Sequence, residues 1–146
     1  MNQLTYKIEY IPDKDRYIFE SIGPQGIITK VVMFSEMEDN VYNFGFGDYD
    51  FQTELISDTA VSDNGDIIKV LATVISIAIK FLSENLMSYI YIEGSDSVRT
   101  QLYQRIINRY YERLIPTYEI YGLIKGEPEP FQKDKSYESF LIRKLF

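Results

Sequence analysis

The apolar residues of this chain recur first with a period of two and, past its middle, with a period near 3.6. "TYKIEYI" (5–11) alternates well enough for a strand, and "PDKD" after it is turn material. "RYIFESI" (16–22) predicts a second strand closed by "GPQG", and "IITKVVMFSEM" (27–37) a third. In the third, Ile28, Lys30, Val32 and Phe34 share one face while Ile27, Thr29, Val31 and Met33 share the other. Apolar residues on both faces place that strand inside the sheet. "NVYNFGFGDYDF" (40–51) sets Tyr42, Phe44 and Phe46 against Asn43, Gly45 and Gly47, and the aromatic side is expected to face the core. Gly45 and Gly47 leave the opposite side open to a bulge or a packed helix, with a ligand as the less favoured alternative.

The period changes at "SDNGDIIKVLATVISIAIKFLSENL". Asp63 or Asn64 can cap a helix there, Asp66 falls in its first turn, and Ile67, Val70, Leu71, Val74, Ile75, Ala78, Phe81 and Leu82 recur at helical spacing. The spacing predicts a long helix over about Asp66–Leu86. Ile77 and Ile79 widen its apolar stripe, so it is expected to be buried around much of its girth. "SYIYIEG" follows as a strand, and a second helix runs from Ser97 to Leu114, ended by Pro116. Its core stripe is read as Val98, Leu102, Ile106 and Tyr110, with Arg105, Arg109 and Arg113 on the solvent side. "TYEIYGLIKG" reads as a strand, "EPEPFQKDK" as a surface loop, and "SYESFLIRKLF" as a last strand or short helix. A four-strand meander, helix, strand, helix and two strands predict a two-layer α+β domain over residues 1–146, with both helices on one face of a mostly antiparallel sheet.

Composition narrows the chemistry. The chain has 146 residues, 45% of them hydrophobic, no cysteine and no histidine. A single domain of that size buries a core without staples, and a cysteine-free chain suits a reducing cytoplasm. No charge-free apolar run of about 18 residues and no basic leader is present, so neither a membrane span nor a signal peptide is expected. Without histidine or cysteine there can be no Ser-His-Asp or Cys-His triad, no imidazole base and no ordinary zinc site. Carboxylate, Tyr, Lys and Ser chemistry remains, which disfavours an enzyme; no cofactor is indicated. Asp48, Asp50, Asp63 and Asp66 could hold a hard cation, but their spacing matches no known ligand pattern.

Charge is uneven. Residues 1–66 hold 13 acids against 4 bases, and residues 67–146 hold 9 against 11; from Glu36 to Asp66 there are nine acids and no base. Such a surface repels a phosphate backbone, which disfavours nucleic acid and anionic membranes as partners. A nucleic-acid role would have to rest on Arg105, Arg109 and Arg113, a stripe whose simpler reading is a solvated helix face.

The two helix starts, "DNGD" (63–66) and "GSDSVR" (94–99), are expected at one edge of the domain, because "SYIYIEG" returns along the length of the first helix. Asn64, Asp66, Ser95, Ser97, Arg99 and Tyr103 are therefore the candidate binding residues. For each, the simpler reading is structural: a turn and cap for Asn64, Gly65 and Asp66, caps for Ser95 and Ser97, and a buried aromatic for Tyr103. Arg99 opposes the helix dipole in the first turn and calls for a carboxylate, with Asp66 first choice and Asp96 or Glu93 next.

"NGDIIKVLATVISIAIKFL" together with "IEGSDSVRTQLYQRII" resembles a family of uncharacterised bacterial proteins with phage relatives. The resemblance rests on Asn64, Gly65 and Asp66, on Val70, Ala72, Thr73 and Val74, and on Gly94, Ser95, Arg99, Leu102 and Tyr103. It implies a fold and no activity. The preferred expectation is a small non-catalytic binding or interaction module with a protein partner. Self-association is the other possibility, through an edge-like "SYESFLIRKLF". A nucleic-acid-associated protein and a carboxylate-metal enzyme are the alternatives.

Overall fold

A computed structural model gives the fold for residues 5–12, 15–53, 55–57 and 64–145. Among these residues there are two helices and nine strands. The strands are β1 (Glu9–Ile11), β2 (Arg16–Gly23), β3 (Gly26–Glu38), β4 (Val41–Asp50), β5 (Leu55–Ser57), β6 (Tyr89–Ile92), β7 (Tyr118–Ile124), β8 (Glu127–Pro130) and β9 (Ser139–Lys144). Helix α1 (Ile67–Glu84) lies between β5 and β6, and α2 (Ser97–Leu114) between β6 and β7. The chain is α+β with a mostly antiparallel sheet, as the pattern predicts; β4 and β6 pair in parallel. It divides into two compact units, residues 1–34 with 45–80, and residues 35–44 with 81–146.

In the first unit β1, β2 and β3 form an antiparallel meander. Pro24 and Gln25 make the two-residue turn between β2 and β3, and Gly26 closes it at φ 91°. Along β2, Tyr17, Phe19 and Ser21 are buried at alternate positions, and the rings of Tyr6 and Phe46 each stack with Phe19, 5.9 and 6.5 Å away. β3 is interior as expected, with Thr29, Lys30, Val31 and Val32 all buried. Helix α1 starts one residue later than predicted: Asp66 precedes it, and the Asp66 carbonyl accepts from the Val70 N–H at 3.0 Å. Ile67, counted in the stripe from its spacing, is exposed, whereas Val70, Leu71, Val74, Ile75 and Ile77 are buried. Burial on this scale offsets the modest helix propensity of so many β-branched residues. The Tyr6 N–H donates to Thr73 Oγ1 at 2.9 Å, tying the N-terminal segment to the helix.

In the second unit the strand order is β4-β6-β9-β7-β8. Phe81 of α1 meets the Tyr42 ring edge-on at 5.1 Å, and Tyr103 of α2 meets Phe44 edge-on at 5.5 Å. Tyr42 and Phe44 are two apart on one strand, so both helices lie on the same face of the sheet. Helix α2 has the predicted bounds, but Asp96, not Ser95 or Ser97, is its cap: Asp96 Oδ1 accepts from the Arg99 N–H at 2.9 Å. Val98 is 68% exposed and leaves the predicted stripe; Arg99, Leu102, Tyr103, Ile106, Ile107, Tyr110 and Leu114 form it instead. The rotation follows from Gly94, whose position leaves no room for a Cβ: one built there would stand 2.3 Å from Thr100 N and 2.7 Å from Arg99 Cβ. Strand end and helix start therefore meet over Arg99 and Thr100, and Val98 turns outward.

Two further expectations are corrected. Glu127–Pro130 is strand β8, not loop; it pairs with β7 through a two-residue turn in which Lys125 and Gly126 both have positive φ, 53° and 77°. Prolines are compatible with this strand because it sits at the edge, where a missing N–H interrupts no ladder. "SYESFLIRKLF" forms β9, which is interior, paired with β6 on one side and β7 on the other. Both edges of this strand are therefore occupied, and it is not the open edge that the sequence suggests.

Candidate functional site

The predicted residues divide between the two units. In the first, Asn64 is 1% exposed and clamps the β2–β3 hairpin. Its Nδ2 donates to Gly26 O at 2.9 Å and Ser21 Oγ at 3.2 Å, and its Oδ1 accepts from the Gln25 N–H at 2.7 Å. Gly23 approaches so closely that a Cβ there would overlap the Asn64 carbonyl, 1.8 Å away. Gly65 takes φ 73°, the left-handed region that lets the chain turn from the clamp into α1. The Asp66 carboxylate accepts from both the Tyr6 and Ser21 hydroxyls at 2.5 Å. Burial, and then that carboxylate, push the Tyr6 hydroxyl pKa upward. Asn64 and Asp66 are thus brought together through Ser21, in a network that joins the hairpin to the start of α1.

The other predicted carboxylates have local roles as well. Asp48 pairs with Lys30 at 2.5 Å, and that lysine is only 3% exposed. Asp50 accepts from the Gln52 N–H at 2.8 Å, and Asp63 lies outside the described residues. Among the described residues no group of three or more acidic side chains is placed to hold a metal ion.

In the second unit Ser95 and Ser97 are exposed beside the α2 cap, while Arg99, 2% exposed, and Tyr103 face the core. Arg105, Arg109 and Arg113 are all exposed. They follow one another along the helix at i, i+4 spacing, as the pattern predicts, and Arg113 lies 5.9 Å from the Tyr110 ring.

Sequence reasoning did not single out the helix-free face of the second unit's sheet. Strand pairing aligns two rows across it. Val41, Tyr89, Arg143 and Glu119 are successive Cα partners, and so are Asn43, Tyr91, Leu141, Tyr121 and Pro130. The first four of each row are half-buried, neither packed away nor fully solvated. Arg143 Nε donates to Glu119 Oε1 at 2.8 Å, its guanidinium lies 5.4 Å from the Tyr89 ring centre, and the Tyr121 hydroxyl also donates to Glu119. These bonds hold the Glu119 carboxyl below the usual carboxylate range and raise the Tyr121 hydroxyl above its own. Burial raises Tyr91 likewise. The signal was present as the alternation in "YIYI" and "YEIY", but the pairing order that assembles it is invisible in sequence.

A recess runs along α2. It encloses about 790 Å³ between Ser97, Gln101, Arg105 and Asn108 of the helix and the β8–β9 loop at 133–138. Gln104 fastens the loop, donating to the Lys135 carbonyl at 2.5 Å and accepting from the Tyr137 N–H at 3.1 Å.

No helix among the described residues is long and apolar enough to cross a membrane. A family of unknown function, DUF6934, matches residues 2–145. No curated protein and no solved structure matches the chain.

Proposed function

The chain belongs to this family of unknown function, and we propose that it is a non-catalytic binding module that docks a protein partner on the helix-free sheet face of its second unit. The observation that carries this reading is the pair of aligned rows bearing Tyr89, Tyr91, Tyr121 and Arg143. Tyrosine presents a large amphipathic surface with few torsions to freeze, and Tyr and Arg dominate the residues that carry binding energy at protein interfaces. The Glu119 bonds hold Arg143 and Tyr121 in place before a partner arrives, which lowers the ordering cost of association. Aromatic sheet faces also stack nucleic-acid bases, but those surfaces add a basic groove. Here the face's arginine is already neutralised by Glu119, which favours a protein.

The test is affinity capture from extract of the source organism with the parent and a Tyr91→Ser/Tyr121→Ser variant, followed by binding of the purified components. A partner whose affinity falls at least about tenfold, roughly 1.4 kcal/mol, in the variant and not in Arg109→Gln supports the reading. Captured partners indifferent to the two tyrosines, or salt-dependent binding of oligothymidylate in their place, would overturn it.

A further inference from the structure

We propose that the outer side of β8 is a closed edge: it denies an incoming strand the N–H donors that pairing needs, so that a second copy of the chain cannot extend the sheet of the second unit. β8 ends the strand order and pairs with β7 on one side only. In an antiparallel ladder alternate residues turn their N–H and C=O toward the same neighbour. The Phe131 N–H donates to Ile120 O at 3.0 Å, which fixes the phase: positions 131, 129 and 127 face β7, and positions 130 and 128 face away. Those two are Pro130 and Pro128, which carry no N–H. The next N–H in that phase belongs to Gln132, and it already donates to the Tyr137 hydroxyl at 3.1 Å.

The Tyr137 cap is itself fixed. Its hydroxyl donates to Glu129 Oε2 at 2.8 Å, and Lys135 Nζ holds the same carboxylate at 2.8 and 2.9 Å. Its ring lies so close to Gly122 that a Cβ there would come within 2.3 Å of it. Positions 128, 130 and 132 thus offer an incoming strand no free donor. Such a strand could give its own N–H groups to the Pro128 and Pro130 carbonyls, but its carbonyls facing the edge would go unanswered. The strands behind this edge are the ones that gain from closure. "YEIYGLI" of β7, "SFLIRK" of β9 and "YIYI" of β6 are rich in aromatic and branched apolar residues, a composition that templates further pairing where an edge is open. Closure of the edge is independent of what docks on the tyrosine face.

The experiment compares the parent with Pro128→Thr/Pro130→Thr, which gives the edge its two missing donors and leaves the side paired with β7 untouched. Sedimentation equilibrium reads association, and amide hydrogen exchange reads where it occurs. The expected result is an association constant at least about tenfold above the parent's. The amides introduced at positions 128 and 130 should be protected increasingly with protein concentration, while those of α2 and β7 stay protected as in the parent. The same gain is expected in a Tyr91→Ser/Tyr121→Ser background and not in Glu127→Thr, which keeps both prolines and removes a charge from the strand. Unchanged association in the proline variant would overturn the proposal. So would association in which α2 and β7 lose protection, the mark of misfolding, or in which positions 128 and 130 stay open to exchange. Equal association in Glu127→Thr would assign the closure to charge, and loss of the gain in the tyrosine background would place the contact on the sheet face; either result overturns it as well.

Discussion

Asn64 and Lys30 show how the first unit uses polar side chains inside its core. An amide buried with donors and acceptors all answered cannot be replaced by an apolar group of the same shape without orphaning its partners, here Gly26 O, Ser21 Oγ and Gln25 N. Lys30 and Asp48 likewise tolerate burial only as a pair. Glu119 in the second unit is different, because it is partly exposed and its two partners lie on the surface. Its folded pKa is depressed, chiefly by the Tyr121 hydroxyl and then by Arg143. The ionised form is therefore favoured in the native state, and the resulting stability is fully present above the unfolded carboxylate pKa, about 4.3. It is lost as pH falls through the lower folded value. Glu119→Gln should thus melt below the parent between about pH 6 and 8, by no more than about 1 kcal/mol given its exposure. The difference should close as the pH drops below about 4. Melting curves of both proteins across that range check this, and a gap that widens in acid would reverse the assignment.

At the scale of elements, most of the fold was legible because local signals agreed with one another. The alternation of "RYIFESI" and "IITKVVMFSEM" places β2 and β3, and the turn before Ser97 and Pro116 bracket α2 to the residue. What failed depended on partners distant in sequence. Two prolines in "EPEP" argue against a strand unless the segment lies at an edge, and only the pairing with β7 shows that it does. β9 reads like an edge until β6 and β7, from either side of α2, are seen to flank it. The same holds for the candidate sites: Asn64 and Asp66 were readable as a turn and cap, whereas the tyrosine rows exist only once β4, β6, β9 and β7 are side by side. For α1 the buried face was read correctly at Val74, which is 3% exposed. Val74→Asp places an unpaired charge there, at a cost of roughly 3–5 kcal/mol or more, against a total stability of about 5–15. The variant is expected to be insoluble or to lack a cooperative melt by circular dichroism; unchanged solubility and melting would mean the buried face of α1 is misassigned.

Across the whole molecule, acidity is concentrated in the first 66 residues while the remaining 80 are nearly balanced. Long-range repulsion of polyanions therefore comes from the front of the sequence, while the proposed sheet face, with Arg143 paired to Glu119, lies in the nearly balanced back. The boundaries between the two compact units fall at residues 34/35, 44/45 and 80/81, within β3, β4 and α1. No boundary lies in a linker. Unfolding one unit alone would cut two strands and a helix partway along, leaving unpaired N–H and C=O groups at each cut. A chain under about 150 residues whose unit boundaries fall inside strands and a helix is expected to unfold in one step. The chain has 13 tyrosines and no tryptophan, so tyrosine fluorescence reports tertiary packing without interference, and far-ultraviolet circular dichroism reports the helices. The two signals should give a single urea transition with the same midpoint and slope. A biphasic curve, or midpoints that separate, would show that the units unfold independently and that the single domain expected from the sequence is two.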